Sequence, residues 1–157
     1  MRNGTNIVAI CGLVLVGALI VVGVVSGGVV RHIIQTGPVL VASFLVLRGA
    51  ASAAWGAVAA FLVWLFLMTC IWLFLLGIAR VITGHFSPIE IAMTVVVAIA
   101  AMIGIVAALR ARRETTFIRG LCFFVLFAVL QVAALWLSFQ PHFSNDHNFA
   151  LWISRAT

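Results

Sequence analysis

Four histidines and three acidic residues are the side chains in this sequence that are best suited to binding a metal ion or moving protons. His142, Asp146 and His147 lie within one short segment near the end of the chain. Imidazole and carboxylate groups together ligate divalent metals or relay protons. Although the spacing matches no established metal motif, the sequence indicates a candidate metal site at these three residues, with His32 and His85 as further candidate ligands. A haem held by His32 and His85 is a second possibility.

Other catalytic chemistry finds little support in the sequence. The cysteines, Cys11, Cys70 and Cys122, are far apart and form no C-x-x-C pair. The sequence contains no P-loop, no H-E-x-x-H and no G-x-S-x-G motif. We therefore expect a protein that is not an enzyme and that carries no cofactor, with the metal or haem site kept as an alternative.

The composition is that of an integral membrane protein. Hydrophobic residues make up 66% of the chain and charged residues 8%, against about 25% charged residues in a soluble domain. The apolar residues form long runs, and about 20 such residues cross a bilayer as a helix. The chain, 1–157, is predicted to be a single all-α bundle of five transmembrane helices, at about 7–25, 30–47, 55–79, 88–109 and 121–139, with an interfacial tail at 141–157.

The second predicted span is the least regular. It is short, and Pro38 should kink or break it because proline lacks an N–H and clashes with the preceding turn. The alternative is four spans plus a re-entrant segment. Gln35 beside this point and Gln131 inside the fifth span are polar intramembrane residues that should face other helices. A broken helix with polar side chains is typical of transporters, so a break at Gln35, Gly37 and Pro38, together with Gln131, raises the alternative of a small transporter or channel.

Small residues and one helix start indicate how the helices pack. Gly23 and Gly27 have the G-x-x-x-G spacing that lets two helices approach closely. A second stripe of small residues in the fourth span predicts another close contact: Ala100, Gly104 and Ala108. Ser87-Pro88-x-Glu90 predicts a capping box that begins this span, and it explains Glu90 without a catalytic role.

The arginines predict the orientation of the bundle. All nine basic residues are arginine, and the stretch 110–119 holds four of them. Basic loops stay in the cytoplasm, so five spans place the N-terminus inside and the C-terminus outside. This arrangement puts all four histidines on the outer side. The arginines sit at the ends of apolar runs and form no stripe with base-reading partners, so we expect no nucleic-acid partner.

Three stretches resemble known sequences: Arg31-His32-x-x-Gln35-Thr36, the run from Trp72 to Arg80, and Gly84-His85-Phe86-Ser87-Pro88-x-Glu90. In these stretches the chain resembles a group of small, uncharacterised multi-pass inner-membrane proteins of Gram-negative bacteria. The resemblance covers about the middle half of the chain. It implies a multi-pass protein of a bacterial inner membrane, with the outer side and the C-terminus in the periplasm, and it implies no catalytic residues.

These expectations lead to a functional hypothesis. The absence of catalytic motifs and the stripes of small residues favour a non-enzymatic membrane protein, a small structural or accessory subunit. Its partners would be the lipid bilayer and either further copies of itself or a larger membrane complex. Transport, and a redox accessory role that uses the outer histidines, are the alternatives.

Overall fold

The computed structural model describes residues 2–111 and 116–140. Within those residues the chain forms α-helices and no strand. The helices are α1 (Arg2–Ser26), α2 (Val29–Leu47), α3 (Ala53–Leu75), α4 (Pro88–Ala111) and α5 (Phe117–Ser138). By length and composition, each of the five could cross a membrane. The expected all-α fold with five long apolar helices is confirmed, and the predicted tail at 141–157 lies outside the described residues.

Consecutive helices run in opposite directions. The start of α1 lies against the end of α4, where a Cβ built on Gly4 would be 3.3 Å from Cβ of Ala111. The starts of α3 and α5 also lie together: a Cβ on Gly120 would be 2.8 Å from Nε1 of Trp55. One end of the bundle therefore contains the start of α1, the α2–α3 turn, the end of α4 and the start of α5. The other end gathers the α1–α2 turn, the α3–α4 connection and the end of α5.

The helices pack as a ring, with one further contact across the ring between α2 and α3. Helix α1 contacts α2 and α4, whereas α3 contacts α2, α4 and α5. Helix α5 completes the ring by packing against both α2 and α3. The first half of α3 is almost entirely buried and consists largely of alanine with Gly56. These small side chains let the neighbouring helices approach α3 closely.

Three helices end at a glycine with a left-handed backbone: Gly27, Gly49 and Gly77, with φ of 71°, 73° and 72°. Only glycine adopts this conformation without strain, and it closes the last helical turn. The N–H of Ile78 accordingly donates to the carbonyl of Leu73 at 2.9 Å. Helix α3 therefore ends at Leu75, and the prediction that the third span reaches residue 79 is wrong. The apolar residues of the third span continue past this turn, so hydropathy alone does not show where the helix ends.

Helix α2 is continuous through Pro38. Pro38 therefore does not break the helix, and the kink expected there stays a prediction. Helix α2 is the shortest of the described helices, as predicted. Proline deprives the carbonyl of Ile34 of its helical donor, and side chains bond to both neighbouring carbonyls. Thr36 donates to the carbonyl of Ile33 at 2.8 Å, and Gln131 of α5 donates to that of Gln35 at 2.9 Å. A continuous α2 favours the five-helix arrangement over four spans plus a re-entrant segment.

Candidate functional site

The main group of buried polar side chains lies where α2 meets α5, and we call it the α2–α5 polar cluster: Gln35, Gln131 and Ser138. Nε2 of Gln35 donates to the hydroxyl of Ser138 at 2.7 Å. That hydroxyl donates in turn to the carbonyl of Leu135 at 2.6 Å. Nε2 of Gln131 donates to the backbone carbonyl of Gln35 at 2.9 Å. The cluster therefore joins two helices that are far apart in sequence.

Helical periodicity brings the cluster together. Gln131 and Ser138 are two turns apart on α5, so they share one face. Both side chains are completely buried, and Gln35 is 4% exposed. An apolar environment penalises any unmade hydrogen bond, so such side chains should face another helix rather than lipid. Gln35 and Gln131, which the sequence singled out separately, thus meet at one interface, and Ser138 is a member that the sequence analysis missed.

One atom of the cluster has no partner. Oε1 of Gln131 is buried and accepts no hydrogen bond. Ser43, further along α2, is similar, because its hydroxyl is buried beside Gly12 of α1 without a partner. Each such group costs free energy in an apolar interior. The polar residues of α2 therefore hold the helices together with incomplete hydrogen bonding.

The predicted metal ligands are not brought together within the described part of the chain. His32 is buried, and its Nδ1 lies 2.7 Å from the carbonyl of Gly28, which closes the α1–α2 turn. His85 is exposed in the α3–α4 connection. Residues 2–111 and 116–140 contain no group of three or more His, Cys, Asp or Glu side chains that could hold a metal. The candidate ligands His142, Asp146 and His147 lie outside the described residues.

Ser87 and Glu90 form the reciprocal bonds of a capping box. The backbone N–H of Ser87 donates to Oε2 of Glu90 at 2.7 Å, and the N–H of Glu90 donates to the hydroxyl of Ser87 at 3.3 Å. Helix α4 begins at Pro88, one residue after the cap. The carboxylate therefore satisfies a helix start, which is the structural role that its position predicted.

Some of the predicted packing residues lie in close helix contacts, and one does not. Gly23 lies against the start of α2, where a Cβ would be 3.0 Å from Cα of Val29. Gly27 has no heavy atom within 4 Å of its Cβ position and is the turn residue that follows α1. The prediction that Gly23 and Gly27 form one helix-packing motif is therefore wrong, because α1 ends between them. On α4 the residues of the small stripe are all buried: Ala100, Gly104 and Ala108.

The tightest contacts join glycines to aromatic rings, and we call them the glycine–aromatic contacts of α3. A Cβ on Gly104 of α4 would be 2.7 Å from the ring of Phe61. A Cβ on Gly56 would be 2.5 Å from the ring of Phe127 on α5. Gly56 was not among the predicted packing residues, although a glycine inside an alanine-rich apolar run is a sign of close backbone approach.

None of these arrangements has the geometry of a catalytic centre. Amide and hydroxyl groups in the polar cluster can bind a polar atom or a water, but they form no nucleophile and base pair. No protein family, curated protein or solved structure matches the chain.

Proposed function

We propose that the chain is a multi-pass integral protein of a bacterial inner membrane. In this proposal it is a non-enzymatic structural or accessory subunit that packs with further copies of itself or with a larger membrane complex. The observation that carries the proposal is the way in which α5 is attached to the other helices.

Helix α5 is bound through a single stripe. Only 17% of its most apolar window is buried in the bundle, compared with 39–44% for the other four helices. Its buried residues follow one another along that stripe: Gly120, Phe127, Gln131 and Ser138. In lipid, helices associate through close packing and hydrogen bonds because apolar surface gains nothing by leaving the hydrocarbon. Phe127 against Gly56 and the polar cluster supply that attachment.

The remaining faces of α5 are apolar and open. Val125, Val129 and Trp136 are each at least half exposed. Cys122 lies on these open faces, whereas Cys11 and Cys70 are buried. The length and hydropathy of α5 suit a helix that contacts lipid on some sides and a further protein on another, which is the position expected of a subunit.

The charges support an orientation. Arg48, Arg110 and Arg119 lie at the end of the bundle where α1 begins, and Arg31 and Arg80 lie at the other end. In the sequence, residues 112 and 113 between α4 and α5 are also arginines. The excess of basic residues favours a cytoplasmic position for that end. The N-terminus is then cytoplasmic and the C-terminus periplasmic.

Insertion and orientation can be tested by labelling cysteines in intact cells. In a Cys122→Ser background, Thr83→Cys should react with a membrane-impermeant maleimide from outside. Ala51→Cys should react only after the cells are permeabilised. Both positions are exposed in connections between helices, at opposite ends of the bundle, so they form a matched pair. Labelling of both from the same side would contradict five crossings, and extraction of the chain by carbonate would contradict insertion.

The subunit role predicts an assembly larger than one 16.8 kDa chain. Purification in mild detergent, followed by a mass measurement, should give an oligomer or a complex with a second protein. If copies meet along α5, mild oxidation of native membranes should also give a dimer through Cys122. Cys122→Ser, which retains Cys11 and Cys70, is the control and should give none. A monomeric chain with no co-purifying protein would contradict the proposal.

The transport alternative has less support than the subunit role. It drew on an interruption of α2 at Pro38, and α2 is continuous there. Its remaining support is the unpaired Oε1 of Gln131.

A further inference from the structure

A groove follows the outer surface between α1 and α4, away from α5 and its polar cluster. It consists of two adjoining cavities of about 560 Å³ and about 370 Å³, which share Ile7 and Ile103 in their walls. The larger cavity opens beside Gly4 and Arg110, at the end of the bundle where α1 begins. The smaller one continues to Val14 and Val96. We call this surface the α1–α4 groove.

Small residues explain the depth of the groove. Gly4 lies against Ala111, so the two helices touch at the mouth. Ala107, Cys11 and Ala100 are buried along the line of contact. Larger side chains such as Ile103 stand on either side and are about half exposed. Two helices that touch through small residues, flanked by large ones, leave a narrow apolar channel between them.

The length of the groove corresponds to one leaflet of a bilayer. From Gly4 to Val14 the rise along α1 is about 15 Å, at about 1.5 Å per residue. The hydrocarbon core is about 30 Å thick, so one leaflet contributes about 15 Å. With the helices across the membrane, the groove begins at the interface beside Arg110 and ends near the bilayer centre. An acyl chain of a lipid in that leaflet likewise extends from the interface to the bilayer centre.

The mouth of the groove is positively charged. Arg110 is exposed in the last turn of α4 and lines the mouth. The first turn of α1 contains no acidic residue, and the positive end of the helix dipole favours an anion at this end. The rest of the lining is apolar side chains and Gly4. A single positive group above an apolar channel complements a phosphate linked to an acyl chain.

We propose that the α1–α4 groove binds an anionic phospholipid of the leaflet at the basic end, with one acyl chain in the groove and the phosphate on Arg110. The proposal depends on the membrane insertion proposed above and is independent of the subunit role. A helix of a second copy fits the site less well, because a helix with its side chains is about 10–12 Å across.

Photocrosslinking tests the position of the lipid. The purified full chain is reconstituted with phosphatidylglycerol that carries a diazirine in its acyl chain, or with phosphatidylcholine that carries the same chain. After illumination, mass spectrometry locates the labelled residues. We expect phosphatidylglycerol to label the groove positions Met102, Ile103 and Val106 more than the equally exposed positions Val125 and Leu126 of α5. Phosphatidylcholine should show a smaller preference.

Two matched arginine variants test the phosphate contact. Arg110 and Arg119 are both exposed at the same end, and only Arg110 lines the groove. One basic residue near the membrane surface contributes about 1 kcal/mol to anionic-lipid binding, or about fivefold in affinity. Arg110→Gln should therefore reduce groove labelling by phosphatidylglycerol about fivefold, and Arg119→Gln should leave it unchanged.

Three results would overturn the proposal. They are equal labelling of the groove and of α5, equal effects of Arg110→Gln and Arg119→Gln, and protein–protein crosslinks at Met102 in place of lipid label. A failure of membrane insertion is detected separately, by the maleimide labelling of Ala51→Cys and Thr83→Cys. A monomeric chain that still labels in the groove would contradict the subunit role alone.

Discussion

Helix α3 and helix α2 hold the bundle together by different means. The glycine–aromatic contacts of α3 place the rings of Phe61 and Phe127 directly on the backbones of Gly104 and Gly56. The α2–α5 polar cluster instead uses side-chain hydrogen bonds, with Oε1 of Gln131 left unpaired. One interface is close-packed, and the other is polar and incompletely bonded.

The difference indicates where the stability of the bundle resides. In lipid, burying apolar surface yields no hydrophobic gain, so close packing carries much of helix association. Interhelical hydrogen bonds in membrane proteins contribute about 0.6 kcal/mol on average. The glycine–aromatic contacts should therefore tolerate change poorly. The polar cluster should tolerate apolar substitutions that keep its volume.

The largest effect is expected at Gly56. A Leu side chain there must displace the ring of Phe127, which is 2% exposed and has no open space to enter. Overpacking of this kind costs about 1–3 kcal/mol or somewhat more. Gly56→Leu should therefore lower the free energy of unfolding by about 3 kcal/mol. The measurement is unfolding of the purified chain in mixed micelles with increasing dodecyl sulfate.

Gly17→Leu is the matched control for this change. Gly17 lies inside α1, is exposed, and has no heavy atom within 4 Å of its Cβ position. Leucine also favours a helix interior by several tenths of a kcal/mol relative to glycine. The control should therefore be neutral or slightly stabilising. If Gly56→Leu were as harmless as Gly17→Leu, the glycine–aromatic contacts would not be the tight part of the bundle.

Local patterns in the sequence predicted some of these features well. Ser87, Pro88 and Glu90 fixed the start of α4 because a capping box involves only neighbouring residues. Gln131 was expected to face another helix because an amide in an apolar run is costly toward lipid, and it does. The end of α3 was missed since the residues around Gly77 remain apolar, and only the backbone angle marks the turn.

Features that depend on which helices are neighbours were not predictable from one sequence. Nothing local indicates that Gln131 bonds to the carbonyl of Gln35, or that Gly56 meets Phe127. The α1–α4 groove likewise exists only because the first and fourth helices touch. The spacing of Gly23 and Gly27 was also misleading. The G-x-x-x-G motif assumes that both glycines lie in one helix, but α1 ends between them.

A smaller effect is expected for Gln35→Leu. The substitution removes the bond from Gln35 to Ser138, but the Ser138 hydroxyl still donates to the carbonyl of Leu135. The main-chain carbonyl of residue 35 can still accept from Gln131. Because no donor is orphaned, the loss should be close to the average value of about 0.6 kcal/mol. A loss above about 2 kcal/mol in the same unfolding assay would show that the polar cluster stabilises the bundle more strongly than this comparison allows.

The smallest effect is expected for Gln131→Leu. The variant loses the bond to the carbonyl of Gln35, worth about 0.6 kcal/mol. It also removes the buried Oε1 that has no partner, which costs the native state about 1–3 kcal/mol. The two changes oppose each other, and leucine nearly preserves the volume, so the free energy of unfolding should stay unchanged or rise slightly. Gln131→Ala is the control, because it removes the same polar atoms and leaves a cavity at a fully buried position. A large loss in Gln131→Leu, similar to that in Gln131→Ala, would mean that Oε1 has a partner, such as a bound water or a ligand, in the membrane.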